Sequence, residues 1–136
     1  MLRLSAAFLL ALTMVAAGCA RPPATDGLRD SFATQLAANK FLSDFQRSGD
    51  NMTFRAPRPD GEPAMWRVHI NTAVVEKQDS KTQPWKGTVT SSWFVNGEEI
   101  VSRGTDSNLP LELTSNGLGQ ECWAFWEADK QVWSWE

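Results

Sequence analysis

Residues 85–101 have the sequence WKGTVTSSWFVNGEEIV, and this stretch decides the fold class. Val89 and Trp93 alternate there with lysine, threonine and serine, which is the period of a half-buried antiparallel strand. Asn96-Gly97 follows, and this pair favours the positive φ angles of a tight type I′ turn, so a second strand should begin directly after it. The stretch predicts an antiparallel β-sheet with one apolar face and one polar, solvated face.

The same two-residue period recurs before and after this hairpin. Pro110 interrupts one of the later segments and makes it an edge strand, because proline has no N–H to donate to a neighbouring strand. The further segments that the alternation predicts as strands are 52–56, 66–74, 109–113, 120–126 and 131–135.

Residues 28–48 show a different period, because their apolar side chains recur on one half of a helical wheel. The segment predicts a single helix of about 20 residues, some 30 Å long. Thr25 or Asp26 would cap its start, and Gly49 stands where a left-handed residue would end it.

One helix followed by a run of antiparallel strands predicts an α+β fold. The helix would lie across the concave face of a curved sheet of about five to seven strands. The alternative is a β-sandwich or a small barrel with the helix on its outside. The order and lengths of the elements are similar to those of cystatin-like and NTF2-like domains. This likeness is topological, covers roughly residues 28–136 and carries no sequence motif.

The first 18 residues have the parts of a secretory signal: a basic start at Arg3, an apolar stretch and a small-residue end. Residues 15–19, VAAGC, resemble the lipobox of bacterial lipoproteins. The sequence departs from the family pattern at Ala16, where leucine is commonest. The alternative is an ordinary secreted protein in which the cysteine stands by chance.

The lipobox resemblance implies cleavage between Gly18 and Cys19, with acyl chains such as palmitate on the Cys19 thiol and on the new amine. Ala20 follows where aspartate would favour the inner membrane, which implies an outer-membrane anchor and a domain that faces the periplasm. The predicted division of the chain is a signal peptide over 1–18, a lipidated cysteine with its tether over 19–27, and one α+β domain over 28–136.

A lipidated Cys19 would leave Cys122 as the one free thiol of the exported chain. The aromatic neighbours of Cys122 predict that it is buried as a small hydrophobic residue. An intermolecular disulfide is the alternative.

The chemical groups in the sequence argue against catalysis. His69 is the only histidine, and it shares the polar face of its predicted strand with Arg67 and Asn71. One histidine and one free cysteine do not make a metal site, and no nucleophile elbow or phosphate-binding loop occurs. The net charge of -3 opposes nucleic-acid binding, which needs basic residues to neutralise phosphates. We therefore predict a protein that is not an enzyme and uses no cofactor, metal or nucleic acid.

Seven tryptophans and no tyrosine are the most unusual feature of the composition. Trp66 and Trp93 lie on apolar faces of predicted strands, which favours burial in the core. Trp133 and Trp135 share one face of the last predicted strand. This face is predicted equally well as part of the core and as a binding surface. They are the candidate partner-binding residues, together with the loop edge at 104–109.

These observations predict an outer-membrane-anchored lipoprotein that acts as a protein-binding or structural accessory subunit of a cell-envelope assembly, such as a conjugative or type IV secretion machine. An inhibitor or exclusion lipoprotein is one alternative. The other is a module for a small apolar ligand, held under the helix. The residues predicted to line that pocket are Phe41, Trp66, Trp93, Cys122 and Phe125.

Overall fold

The computed structural model describes residues 21–101 and 108–136, and it confirms the predicted α+β class. Cys19, Gly18 and the rest of the predicted signal lie outside the described residues, and so do residues 104–107. The elements are α1 Thr25–Ala37, β1 Ser43–Ser48, β2 Asn51–Pro57, β3 Pro63–Lys77, β4 Trp85–Val95, β5 Glu98–Glu99, α2 Leu111–Thr114, β6 Glu121–Glu127 and β7 Val132–Trp135.

All the described strands belong to one curled antiparallel sheet, as predicted. Its order is β1-β2-β3-β4-β6-β7, and β5 pairs with β4 outside this path. A single sheet excludes the alternative of a β-sandwich. Strands β1 and β7 form the two edges and do not pair with each other, so the described sheet is open rather than closed into a barrel.

The hairpin predicted at Asn96-Gly97 is confirmed. Asn96 has a φ of 48° and Gly97 a φ of 86°, the positive angles that a type I′ turn needs. Val95 and Glu98 pair directly across the turn. The Asn96 side chain also accepts the N–H of Met65 at 3.2 Å, which ties the turn to β3.

Helix α1 covers one face of the sheet, which we call the inner face. Leu28, Phe32 and Leu36 of α1 are completely buried against it. Below them, the rings of Phe54, Trp66 and Trp93 form a cluster with centroids 6.3–6.5 Å apart. Phe54 stacks on Trp66, and Trp93 meets both of these rings edge-to-face. The core therefore lies between α1 and the inner face.

The helix predicted over 28–48 is wrong beyond Ala37, because its second half forms β1. Asn39 follows the end of α1, and its Oδ1 accepts the N–H of Phe41 at 2.9 Å. Its Nδ2 donates to the carbonyl oxygen of Glu112 at 2.7 Å. Such side-chain bonds to the backbone compete with the helical ladder and favour a turn. The chain then continues as a strand.

The residues predicted to cap the start of the helix and to end it do neither. Gly49, with a φ of 60°, connects β1 to β2. Ala24 is the N-cap residue, so Thr25 and Asp26 lie inside the helix instead of capping it. Helix α1 thus begins within the segment 19–27 that was predicted as a tether. Among the described residues, no helix has both the length and the apolar character that crossing a membrane requires.

The edge strand predicted over 109–113 is wrong, because Leu111–Thr114 form the short helix α2. Leu109 and Leu113 are buried, whereas Leu111 between them is 83% exposed. Buried positions four residues apart fit one turn of helix and not the alternation of a strand. Pro110 is the N-cap residue of this turn.

Candidate functional site

A groove lies between the N-terminal part of the described chain and the β6–β7 hairpin. It encloses about 710 Å³, which is within the usual range for small-molecule sites. Trp85, Trp126 and Trp133 line it on the side of the sheet. Pro22 and Pro23 line it where the chain enters α1. We call this feature the tryptophan groove.

Gly87 of β4 allows the two sides of this region to approach each other. A Cβ atom at position 87 would lie 2.7 Å from Cδ1 of Leu28 and 3.1 Å from Cζ3 of Trp133. Leu28 is completely buried, so it has no space into which to move. Trp133 also meets Trp126 edge-to-face, with ring centroids 5.3 Å apart. Close packing at Gly87 therefore positions the groove wall.

Six of the seven tryptophans divide into two groups by their indole N–H groups. Those of Trp66, Trp93 and Trp135 donate hydrogen bonds within the fold. The indole N–H groups that line the groove donate no hydrogen bond to any described residue. These side chains are half-buried, so each offers an apolar ring and a solvated donor.

The two tryptophans predicted to bind a partner have different surroundings. Trp135 donates its Nε1–H to Ser31 Oγ at 2.9 Å, and its ring meets Phe32 edge-to-face at 5.8 Å. It therefore belongs to the contact between helix and sheet, whereas Trp133 lines the groove. Of the predicted loop edge at 104–109, Leu109 is buried in the core.

Strand β7 is one edge of the sheet. The N–H of Glu136 donates to the carbonyl of Trp123 at 3.2 Å, and hydrogen-bonded pairs alternate along an antiparallel ladder. The main-chain groups of Trp133 and Trp135 therefore point away from β6. No described residue forms a main-chain hydrogen bond with them on that side. Strand β7 thus offers a regular, unpaired edge.

The opposite edge of the sheet is irregular. Strand β1 carries a register shift between Ser43 and Gln46, and Asp44 has a φ of 56°. A bulge of this kind twists an edge strand and opposes pairing with another chain. Of the two edges, β7 is the better suited to accept a partner strand.

The five residues predicted to line an apolar pocket do not surround one cavity. Trp66, Trp93 and Cys122 are buried within the packed core. Phe125 lies on the outer face of β6, because side chains alternate and its neighbours in the strand face the core. Phe41 follows α1 and is 42% exposed. The pocket prediction is wrong for this set of residues.

Cys122 is buried, as the first of its two interpretations predicted. Its side chain is 2% exposed, and its Sγ lies 3.8 Å from the carbonyl oxygen of Val89. Burial raises the pKa of the Cys122 thiol to about 11, because the thiolate would lose its hydration. A disulfide to another chain would need this side chain to leave the core.

We expect the Cys122 thiol to react with a thiol reagent much more slowly at pH 8 in the folded protein than in urea. Stability should fall between about pH 9 and pH 11, because the unfolded thiol loses its proton near 9.0 and the folded thiol near 11. Urea unfolding at pH 8 and pH 10 measures this, and Cys122→Ala should remove that part of the pH dependence. Fast labelling of the folded protein would contradict the buried position.

The outer face of the sheet is polar, as predicted from residues 85–101. Trp123 is the exposed aromatic residue there, with 40% of its surface accessible and Lys86 Nζ 5.5 Å from its ring centroid. His69 Nδ1 lies 3.0 Å from Asn51 Oδ1. The described residues contain no group of three acidic, histidine or cysteine side chains placed to hold a metal ion.

Sequence reasoning missed most of the groove. Trp85 shares strand parity with Val89, which is a local signal for the inner face. No local signal indicates that Pro22 and Pro23 line the same groove as Trp133, because more than a hundred residues separate them in the chain. Comparison of the chain with family models, curated proteins and solved structures finds no match.

Proposed function

We propose that the protein is an outer-membrane-anchored lipoprotein and a non-enzymatic, protein-binding accessory subunit of a cell-envelope assembly. The resemblance of residues 15–19 to a lipobox supports the anchor. The open edge of β7 is the observation that carries the binding role. A partner would add a strand along this edge, as in other complexes formed by β-strand addition.

The edge provides both affinity and selectivity for such a strand. Main-chain N–H and C=O groups of Trp133 and Trp135 would bond to any extended chain, whatever its sequence. Selectivity would come from the side chains beside the partner, with Trp133 on the inner face and Val132, 48% exposed, on the outer face. Contacts of Trp135 with Ser31 and Phe32 hold β7 in place before binding, which lowers the entropy cost of association.

The proposed partner belongs to a larger assembly of the cell envelope. A conjugative or type IV secretion machine is the assembly we favour for a small anchored domain of this architecture. An inhibitor or exclusion lipoprotein could use the same edge, and it is supported by the topological likeness to cystatin-like domains. An apolar ligand under the helix finds less support, because the predicted pocket residues are packed together or lie apart.

A photo-crosslinking amino acid at Ser134 of β7 tests the binding edge in intact cell envelopes. We expect one discrete crosslinked protein from Ser134 and none from the matched position Gln46, which lies on the irregular edge strand β1. Equal products from the two positions, or none from Ser134, would overturn strand addition at β7.

Two variants at one position separate the main chain from the side chain. Trp133→Pro removes an outward N–H from the edge, and Trp133→Val keeps it. We expect the crosslink from Ser134 to disappear in Trp133→Pro and to persist at lower yield in Trp133→Val, which loses the Trp133 ring but keeps the main-chain pairing. Thermal unfolding of both variants is the control for folding. A crosslink that survives in a folded Trp133→Pro protein would contradict the proposed pairing.

A further inference from the structure

The first described residues line the tryptophan groove, and the predicted lipid attachment site precedes them closely in the sequence. Arg21 and Pro22 both line the groove, and Cys19 precedes Arg21 by two residues. Two extended residues span at most about 7 Å. Pro22-Pro23 fixes two φ angles and favours an extended conformation for Arg21, so the chain leaves the groove in a restricted direction.

The groove has the chemistry of a site for a glycerol-ester lipid. The rings of Trp85, Trp126 and Trp133 offer apolar surface to an acyl chain. Their indole N–H groups, which bond to no described residue, can donate to ester carbonyl oxygens. Asp30, an acidic residue of the lining, accepts a hydrogen bond at 2.8 Å from Arg47, so its charge is already compensated.

We propose that the tryptophan groove binds the proximal part of the lipid carried by Cys19. The ester carbonyls would accept hydrogen bonds from the groove tryptophans, and the first methylene groups would lie against the rings. This inference rests on the proposed lipid anchor. Binding is intramolecular, because the lipid is attached to the same chain. The short linker keeps the effective concentration of the lipid at the groove high.

The consequence is a fixed orientation of the domain at the membrane. A flexible tether over 19–27 would let the domain turn freely, but α1 begins at Thr25 and the preceding residues line the groove. A lipid held in the groove joins the anchor directly to the β6–β7 hairpin. The open edge of β7 would then keep one direction relative to the membrane surface.

Fluorescence quenching tests the proposal on the lipidated mature protein in vesicles of brominated phosphatidylcholine. The reference is a Cys19→Ser chain begun at residue 19, which retains every described residue and carries no lipid. The groove holds three of the five tryptophans that are not fully buried. We therefore expect acrylamide quenching of the lipidated protein to fall to roughly half that of the reference, with no added quenching by bromine.

Matched variants assign the effect to the groove. Trp133→Phe should reduce the difference between the lipidated and unlipidated proteins. Trp123→Phe, on the outer face, should leave it unchanged. Unchanged acrylamide quenching in the lipidated protein would mean an empty groove and overturn the proposal. Quenching by bromine would mean that a bilayer phospholipid occupies the groove, which overturns it equally.

The mass of the mature protein separates this inference from the proposed function. A mass without acyl chains would overturn the lipid anchor, and with it the ligand of the groove. A lipidated mass with an empty groove would overturn the groove proposal alone. The anchor and the binding edge of β7 would then remain as proposed.

Discussion

Replacing Trp93 by alanine should lower the free energy of unfolding by about 3–5 kcal/mol, the usual cost of removing a large ring from a core. Trp93 is completely buried in β4, and its ring meets those of Phe54 and Trp66 edge-to-face. Its Nε1–H donates to Ser91 Oγ at 2.9 Å. Neighbouring rings held in these contacts cannot collapse into the space, so a cavity remains. Urea denaturation followed by circular dichroism measures the change.

The matched control for Trp93 is the exposed tryptophan of the neighbouring strand. Trp123→Ala on the outer face of β6 should change the free energy of unfolding by less than about 1 kcal/mol, since 40% of its surface is already in water. Domains of this size have only about 5–15 kcal/mol of stability, so Trp93→Ala should remove a large part of it. Equal losses for the two variants would contradict the assignment of the inner face as the core.

Replacing Cys19 by serine should abolish lipidation and with it the stable attachment to the membrane. Each buried methylene contributes about 0.8 kcal/mol, so several acyl chains hold a protein far more firmly than one. Incorporation of labelled palmitate and the mass of the mature protein measure the change. The expected result is full labelling of the natural protein and none of Cys19→Ser.

The second cysteine provides the control for this experiment. Cys122 is buried in the core, so Cys122→Ser should keep its full palmitate label even if its stability falls. Label that persists in Cys19→Ser, or that disappears in Cys122→Ser, would contradict the lipobox assignment. The protein would then be better described as an ordinary secreted domain.

Elements with a strong local pattern could be predicted from the sequence. The alternation over residues 85–101 and the Asn96-Gly97 turn locate β4 and the chain reversal, because side-chain period and positive φ angles depend on adjacent residues. The polar outer face and the burial of Trp93 follow from this alternation, and the burial of Trp66 follows from the like alternation in β3. The helix prediction fails over residues 43–48, because Phe45 is the one apolar residue of this segment and a single residue defines no period.

The candidate site was less predictable than the fold. Trp133 and Trp135 share one strand face, as their spacing requires, but the spacing does not say that one contacts Ser31 and the other lines a groove. The predicted pocket combines Phe125 with Cys122, although odd and even positions of one strand face opposite sides. That part of the error could have been found in the sequence.

The sequence by itself determined the antiparallel sheet, its two unlike faces and the tight turn at Asn96-Gly97, because these depend on neighbouring residues. Tertiary structure decided where α1 ends, since Asn39 bonds to Glu112, 73 residues further along the chain. It also made an edge strand of β7 and placed Pro22 and Trp133 in the lining of one groove. Contacts between distant segments decide these features, and no local pattern of residues encodes them.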